Sequence, residues 1–276
     1  MAHHAPLTAA GPQFALADVD PASTPGFDGG KKAGRRALAK GAAELAELQE
    51  RLFAAGLNGD RRSVLLVLQA MDTAGKGGVV SHVVGSVDVQ GVALHAFKAP
   101  TDEEKAHDVL WRIRRELPAP GMLGVFDRSH YEDVLIHRVH ALASPEVIEA
   151  RYGAIVDFEA ELVAAGTTIV KVMLHISPQE QRDRLLARLD DPTKQWKYSP
   201  GDVDERELWG RYMEEYEIAI RRTSTPDAPW YVVPADHKWF ARLAVQRLLT
   251  DALRGLDLHW PRPDYDVAAE RARLLP

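Results

Sequence analysis

Cysteine is absent from the 276 residues, which excludes disulfides, thiol nucleophiles and cysteine-ligated metals. Long apolar runs are missing too. None approaches the roughly 18–20 residues that a bilayer-spanning helix needs, and the N-terminal segment lacks the apolar core of a signal peptide. No membrane partner is expected, and the cytoplasm is the expected compartment. The chain also lacks a strong excess of either charge. With 34 Lys and Arg against 40 Asp and Glu its formal charge is −6, which argues against a strongly basic nucleic-acid binder and leaves room for a local basic groove. Apolar residues make up 46% of the chain, enough to bury the core of one large α/β domain.

The most informative stretch is Ser63 to Val80, SVLLVLQAMDTAGKGGVV. Its first eight residues are short, apolar and β-branched, as in a strand buried on both faces of a parallel sheet. A glycine-rich turn follows, in which Gly75, Gly77 and Gly78 let the backbone close on an anion and Lys76 supplies a point charge. Val79, Val80, Val83, Val84 and Val87 then predict a helix whose first N–H groups face the same anion. The match to the phosphate-loop pattern G-x-x-x-x-G-K-[ST] is incomplete. Ala70 stands for the first glycine, and Gly77 for the hydroxyl residue that normally holds magnesium. Asp72 is the candidate replacement ligand, because a carboxylate inside such a loop repels substrate phosphates unless a divalent cation sits between them.

Residues 1–32 are rich in proline and glycine and read as an extended arm, either a disordered tail or packed along the domain or a neighbouring subunit. Residues 33–276 read as the catalytic domain. Ala37–Ala55 predicts a helix leading into the first strand. Val92–Phe97 is a second strand, with Lys98 at its C-terminal edge, where open α/β sheets bind ligands; an ordinary surface lysine is the alternative. Thr101–Glu104 is a capping box that opens a helix carrying Ala106, Val109, Leu110, Ile113 and Leu117, with Arg112, Arg114 and Arg115 on a solvated face. Met122–Phe126 is a third strand ending in Asp127-Arg128-Ser129-His130-Tyr131-Glu132. An acidic residue there can hold magnesium across from the loop, and Arg128 can neutralise phosphoryl oxygens. Ser129 with His130 does not form a nucleophile–base pair, since adjacent side chains point apart, and His130, His137 and His140 read as ordinary histidines. Further on, Ser144–Ala165 predicts a helix, Thr167–Ile176 a fourth strand and Trp230–Pro234 a fifth, with His237–Arg254 as the closing helix. Between the last two strands, a helix carrying Arg184 and Arg188 on one face breaks at Asp190-Asp191-Pro192, and Val203–Arg222 is helical again. The expected fold is therefore a three-layer α/β/α arrangement around five parallel strands, with a helical lid over about 182–222.

Four separated blocks resemble the polyphosphate kinase 2 family: Gln69–Gly78, Phe97–Thr101, Phe126–Glu132, and Arg188 with Asp191–Lys197. The resemblance implies a thymidylate-kinase-like P-loop fold. It also implies Mg2+ dependence (with Mn2+ as an alternative), inorganic polyphosphate as donor, a nucleoside mono- or diphosphate as acceptor, and a homodimer or homotetramer. Carried over, Lys76 and Arg128 bind and neutralise the phosphates in flight, and Asp72 and Asp127 hold the metal. Arg188 reaches in from the lid, Lys98 and Lys194 line the polyphosphate path, and Glu132 joins the catalytic set. Glu132 in its SHYEDVL context is similar to the branch acting on both AMP and ADP, whereas Asp127 is commoner in single-step branches, so AMP and ADP are both expected acceptors. Two other classes remain open at this level. One is an ATP-dependent nucleotide or small-molecule kinase, disfavoured by the missing hydroxyl after Lys76. The other is a nucleotide-dependent regulatory binding protein, for which no partner surface stands out.

Overall fold

Five short runs with apolar side chains on both faces cannot each find water, so they stack side by side and hide both surfaces under helices. The structure, a computed structural model, describes residues 10–11 and 13–275. The first nine residues of the expected arm, including Pro6, and also Pro12 lie outside the described residues. In chain order the elements are α1 (Lys31–Leu57), β1 (Ser63–Ala70), α2 (Lys76–His82), β2 (Val92–Ala96), α3 (Asp102–Lys105), α4 (Trp111–Arg115), β3 (Leu123–Asp127), α5 (Ile136–Val139), α6 (Pro145–Ala164), β4 (Thr167–His175), α7 (Pro178–Asp190), α8 (Gly201–Glu207), α9 (Trp209–Thr223), β5 (Trp230–Pro234), α10 (Lys238–Gly255) and α11 (Val267–Leu274).

The strands form one parallel sheet in the order β2-β3-β1-β4-β5. Every residue of β1 is buried, and its period-two alternation divides the core. Leu65 and Val67 join Phe126, Ile169, Trp230 and Val232 under α6 and α9. Val64, Leu66 and Leu68 join Val125, Val172 and Val233 under α1 and α10. From β1 the chain goes first to one side and later to the other, so a crevice opens at the C-terminal end of β1, the place where such sheets take ligands. Register completes the arrangement, because Leu68 of β1 pairs with Asp127 of β3, which pairs with Ala96 of β2. Three strand ends therefore meet at one edge.

The described part of the expected arm lies against the domain. The Ala10 amide donates to the Trp230 carbonyl (2.8 Å) and the Asp236 amide to the Pro21 carbonyl (3.1 Å), and the rings of Phe27 and Trp239 lie 5.6 Å apart.

Three expected helices differ from the sequence pattern. The one from Thr101 breaks after Lys105 because the Asp108 carboxylate accepts from the Leu110 amide (3.0 Å), a local turn that competes with helix. After the break Arg112, expected on a solvated face, is buried, donating to the Lys98 carbonyl (2.9 Å) and facing Asp133 (3.6 Å). The helix after the loop stops at His82, since its β-branched run packs Val83, Val84 and Val87 into the core instead of continuing regular turns. The helix expected over Val203–Arg222 is interrupted at Leu208. That break lets Leu208 and Trp209 turn toward the core while α8 buries nothing.

Candidate active site

The turn between β1 and α2 is shaped by two residues in left-handed conformations, Thr73 (φ 64°) and Gly75 (φ 123°). Only glycine adopts the second without strain. Gly78 allows a close approach, since a β-carbon there would lie 3.1 Å from the Arg242 guanidinium, whereas Gly77 faces open space. Lys76 bends back so that its Nζ donates to the Ala70 carbonyl (3.3 Å) and stands 3.9 Å from Asp127 Oδ1.

Arg184 of α7 holds this turn from behind. Its Nε donates to Glu180 (2.7 Å), one Nη to the carbonyls of Thr73 (2.9 Å) and Ala74 (2.7 Å), and the other to those of Ala235 (2.6 Å) and Asp236 (3.0 Å). A planar fork with five donors suits such a span, and no compact ammonium could replace it. Gln181 adds a bond to the Asp72 carbonyl (3.1 Å) and is itself held by Arg206 (2.8 Å). The sequence pairs Arg184 with Arg188 on one face, yet Arg184 is a buried strut at the back of the crevice, whereas Arg188 lines its open part beside Lys76 and Arg128. Arg184→Gln is expected to lower stability by about 2–4 kcal/mol, because it leaves backbone carbonyls buried without partners. Denaturant unfolding checks this, and a loss below about 0.5 kcal/mol would show the strut to be idle.

At the end of β3, Arg128 also has positive φ (64°), which is costly for a long side chain and found where the surroundings dictate it. Its amide donates to the Leu68 carbonyl (3.0 Å), and the reversed backbone sends its guanidinium to Asp72 Oδ1 (3.1 Å). Burial works against the charge of Arg128, but Glu132 first and then Asp72 hold its pKa above the ordinary value. Glu132 shows the reverse balance. Burial pushes its carboxyl up, and Arg128 and Lys76 pull only part of the way back. Asp72, Lys76, Asp127 and Arg128 thus line one cleft of about 710 Å³ together with Gly75, Gly77, Gly78, Lys98, Arg188 and Lys194. Lys194 is anchored to Asp191 (2.5 Å) and Arg188 to the Lys197 carbonyl (3.0 Å).

The cleft brings cations and two carboxylates together on a strand–glycine turn–helix frame, Lys76 facing Asp127 and Arg128 facing Asp72. The profile of Polyphosphate kinase 2 matches residues 29–259. The chain belongs to the polyphosphate kinase 2 family. It is 47% identical over 252 residues to the AMP/ADP-polyphosphate phosphotransferase of Meiothermus ruber, covering 91% of this chain and 93% of that one. With the ADP-polyphosphate phosphotransferase of Rhodopseudomonas palustris it shares 42% over 247 residues, covering 84% and 82%. A crystal structure of polyphosphate kinase 2 from Arthrobacter aurescens TC1 superposes with a TM-score of 0.95 at 63% identity, covering 96% and 94%. The expected P-loop kinase fold is thereby met.

This member of the polyphosphate kinase 2 family also lines its cleft with cations that sequence reasoning missed. Lys197, Lys238 and Arg242 face it beside Arg188 and Lys194. Lys238 and Arg242 lie four residues apart at the start of the helix that follows β5, and the strand-edge logic that singled out Lys98 would have found them. Burial lowers the pKa of both, and neighbouring arginines lower it further. Residues set aside in the sequence occupy structural positions. Ser129 is buried, accepting from Gln69 (3.1 Å) and the Tyr131 amide (3.2 Å). His130 faces Glu159 (3.2 Å), His137 faces Asp133 (3.4 Å) and His140 faces Glu205 (3.0 Å), three separate pairings.

Proposed function

We propose that this chain transfers a phosphoryl group from inorganic polyphosphate to AMP or ADP with Mg2+ as cofactor. The observation that carries the reading is the excess of cation over what a nucleotide triphosphate needs. Lys76, Arg128, Arg188, Lys194, Lys197 and Arg242 converge on one cleft, a distribution suited to a linear polyanion. The relatives' names, which join polyphosphate to AMP/ADP and to ADP, point to the same pair of substrates.

In this scheme Lys76 and Arg128 flank the phosphoryl group and offset the charge that spreads over its oxygens. The acceptor is already an oxyanion, since a phosphate's second ionisation lies near pH 6, so no side chain has to remove a proton. Asp72 accepts from the guanidinium of Arg128 (3.1 Å), and the negative charge of Glu132 nearby helps to keep it charged. Of the expected lid over 182–222, the unburied part, residues 186–211, acts as a cover that excludes water while phosphate is in flight, whereas α9 beyond it packs Tyr212, Tyr216 and Ile220 into the core and belongs to the domain.

The donor set fits magnesium. Asp72 and Asp127 offer hard carboxylate oxygens on opposite sides of the cleft, both partly exposed. Among the described residues no cluster of three or more acidic or histidine side chains forms a complete metal cage. Magnesium does not need one, because it keeps waters and takes substrate phosphate oxygens alongside one or two carboxylates. Held by Asp72 and Asp127, it would supply positive charge that screens the phosphates. Asp72→Asn and Asp127→Asn are each expected to raise the Mg2+ concentration for half-maximal activity and lower kcat, Asp72 more so, because it stands inside the phosphate loop. A magnesium titration of both variants decides it, and unchanged half-saturation in both would remove the two-carboxylate arrangement. Assembly as a homodimer or homotetramer in the cytoplasm belongs to the same proposal.

Incubating the protein with AMP or ADP, Mg2+ and either polyphosphate or ATP tests the whole reading. Formation of ADP and ATP from polyphosphate is expected, and transfer from ATP alone would overturn it.

A further inference from the structure

The first turns of α1 carry Lys31, Lys32, Arg35 and Arg36, all exposed. Cations are disfavoured here, because the peptide dipoles already place positive charge at a helix start. Nothing local relieves them. The first turn has no acidic residue and Gly30 offers no side-chain cap. Among the described residues, none of the four side chains makes an ion pair or hydrogen bond. The same helix does pair its later charges, Glu47 with Arg51 and Glu44 with Arg254. The basic end is therefore not simply a solvated face of the usual mixed kind.

Its location supplies the reason. Gly34 lies so close to Trp239 that a β-carbon there would collide with the ring, and Gln246 of α10 donates to the Leu38 carbonyl (2.9 Å). The start of α1 is thus clamped to the start of α10, whose Lys238 and Arg242 line the cleft beside the phosphate turn. Arg35 is near enough to Arg242 for the two charges to repel, which adds to burial in lowering the pKa of Arg242. A stripe of like charge held together by packing attracts anions along its length.

We infer that the donor groove continues past Lys238 and Arg242 onto the first two turns of α1, where Lys31, Lys32, Arg35 and Arg36 form a remote subsite for the distal phosphates of long-chain polyphosphate. This rests on the polyphosphate reading above and adds where the far end of the donor lies. Single-stranded nucleic acid would call for exposed rings on which bases stack, whereas the rings beside the stripe, Phe27 and Trp239, are packed on each other.

The test is the fourfold variant Lys31→Gln/Lys32→Gln/Arg35→Gln/Arg36→Gln, assayed with tripolyphosphate and with long-chain polyphosphate. KM for the long chain is expected to rise about 5- to 10-fold, each exposed contact contributing a small factor. Its salt dependence should flatten, while kcat and the KM for tripolyphosphate stay within about twofold of the parent. The melting temperature should hold or rise slightly, because the substitution removes charges that oppose the helix dipole. A control, Arg271→Gln/Arg273→Gln on α11, should leave both donors unaffected. An unchanged long-chain KM, or an equal rise for both donors, would overturn the subsite while leaving the polyphosphate reading in place. A parent protein that does not use polyphosphate overturns both. Loss of duplex DNA binding in the variant, with polyphosphate binding retained, would assign the stripe to nucleic acid instead.

Discussion

Replacing Lys76 by alanine is expected to lower turnover by ~10³-fold or more without unfolding the protein, since removing a preorganised charge aimed at transferring oxygens costs on that scale. Lys76 is well placed for this. Its ammonium is held by one carbonyl and stands 3.9 Å from Asp127, so it enters the cleft ordered yet incompletely neutralised. It also lies at the first position of α2, where alanine is a good helix former, and the fold should survive. Steady-state rates with matched melting curves check the claim. Turnover within tenfold of the parent would mean that Arg128 and the bound metal already supply the charge, and Lys76 would lose its role.

The largest effect on stability is expected from Lys171→Met. Lys171 is fully buried in β4, with Nζ donating to Glu159 Oε2 (2.5 Å), the Tyr131 hydroxyl (3.1 Å) and the Thr223 carbonyl (2.7 Å). Tyr131 in turn donates to Glu159 Oε1 (2.7 Å). Burial alone would raise the pKa of Glu159, but His130 and Lys171 overcome it and hold the carboxyl below its usual value. Removing the ammonium leaves that buried carboxylate with only the Tyr131 hydroxyl and His130 against it, at a cost of about 3–5 kcal/mol. The sign with pH follows. In the variant a buried carboxyl that has lost its ammonium has a raised pKa, so the folded state binds the extra proton and the deficit shrinks as pH falls. Denaturant unfolding at pH 8 and pH 5 should therefore show the larger loss at pH 8. A double variant that also carries Glu159→Gln should recover part of it. Equal losses at both pH values would mean that Glu159 is not the group left uncompensated.

The same residues show how far the sequence could be read. A lysine in the middle of TTIVKVMLHI is visible as a charge inside an apolar run, but its partner on α6 is not, because nothing local links positions 159 and 171. The phosphate turn was legible because glycine at a left-handed position, a lysine and a flanking buried strand are dictated locally. The strand edge at Asp127 was legible for the same reason. Arg184 was not, since helical spacing says that two arginines share a face without saying where the buried half of that face ends. Lys238 and Arg242 were hidden differently. Their place just past a strand end marks them as candidates, but their approach to the turn depends on α10 crossing behind β1, a tertiary fact to which the glycines at positions 34 and 78 add the only other traces.

From Leu186 to Arg211 no side chain is buried, although this stretch carries Arg188, Lys194 and Lys197. The residues that would choose the substrate are thus separated from those that keep the domain folded, and the turn they face is braced by Arg184 from outside the stretch. Mutations there can accumulate with little effect on folding, so donor preference is free to drift between relatives or to be redirected by directed evolution while the scaffold stays intact.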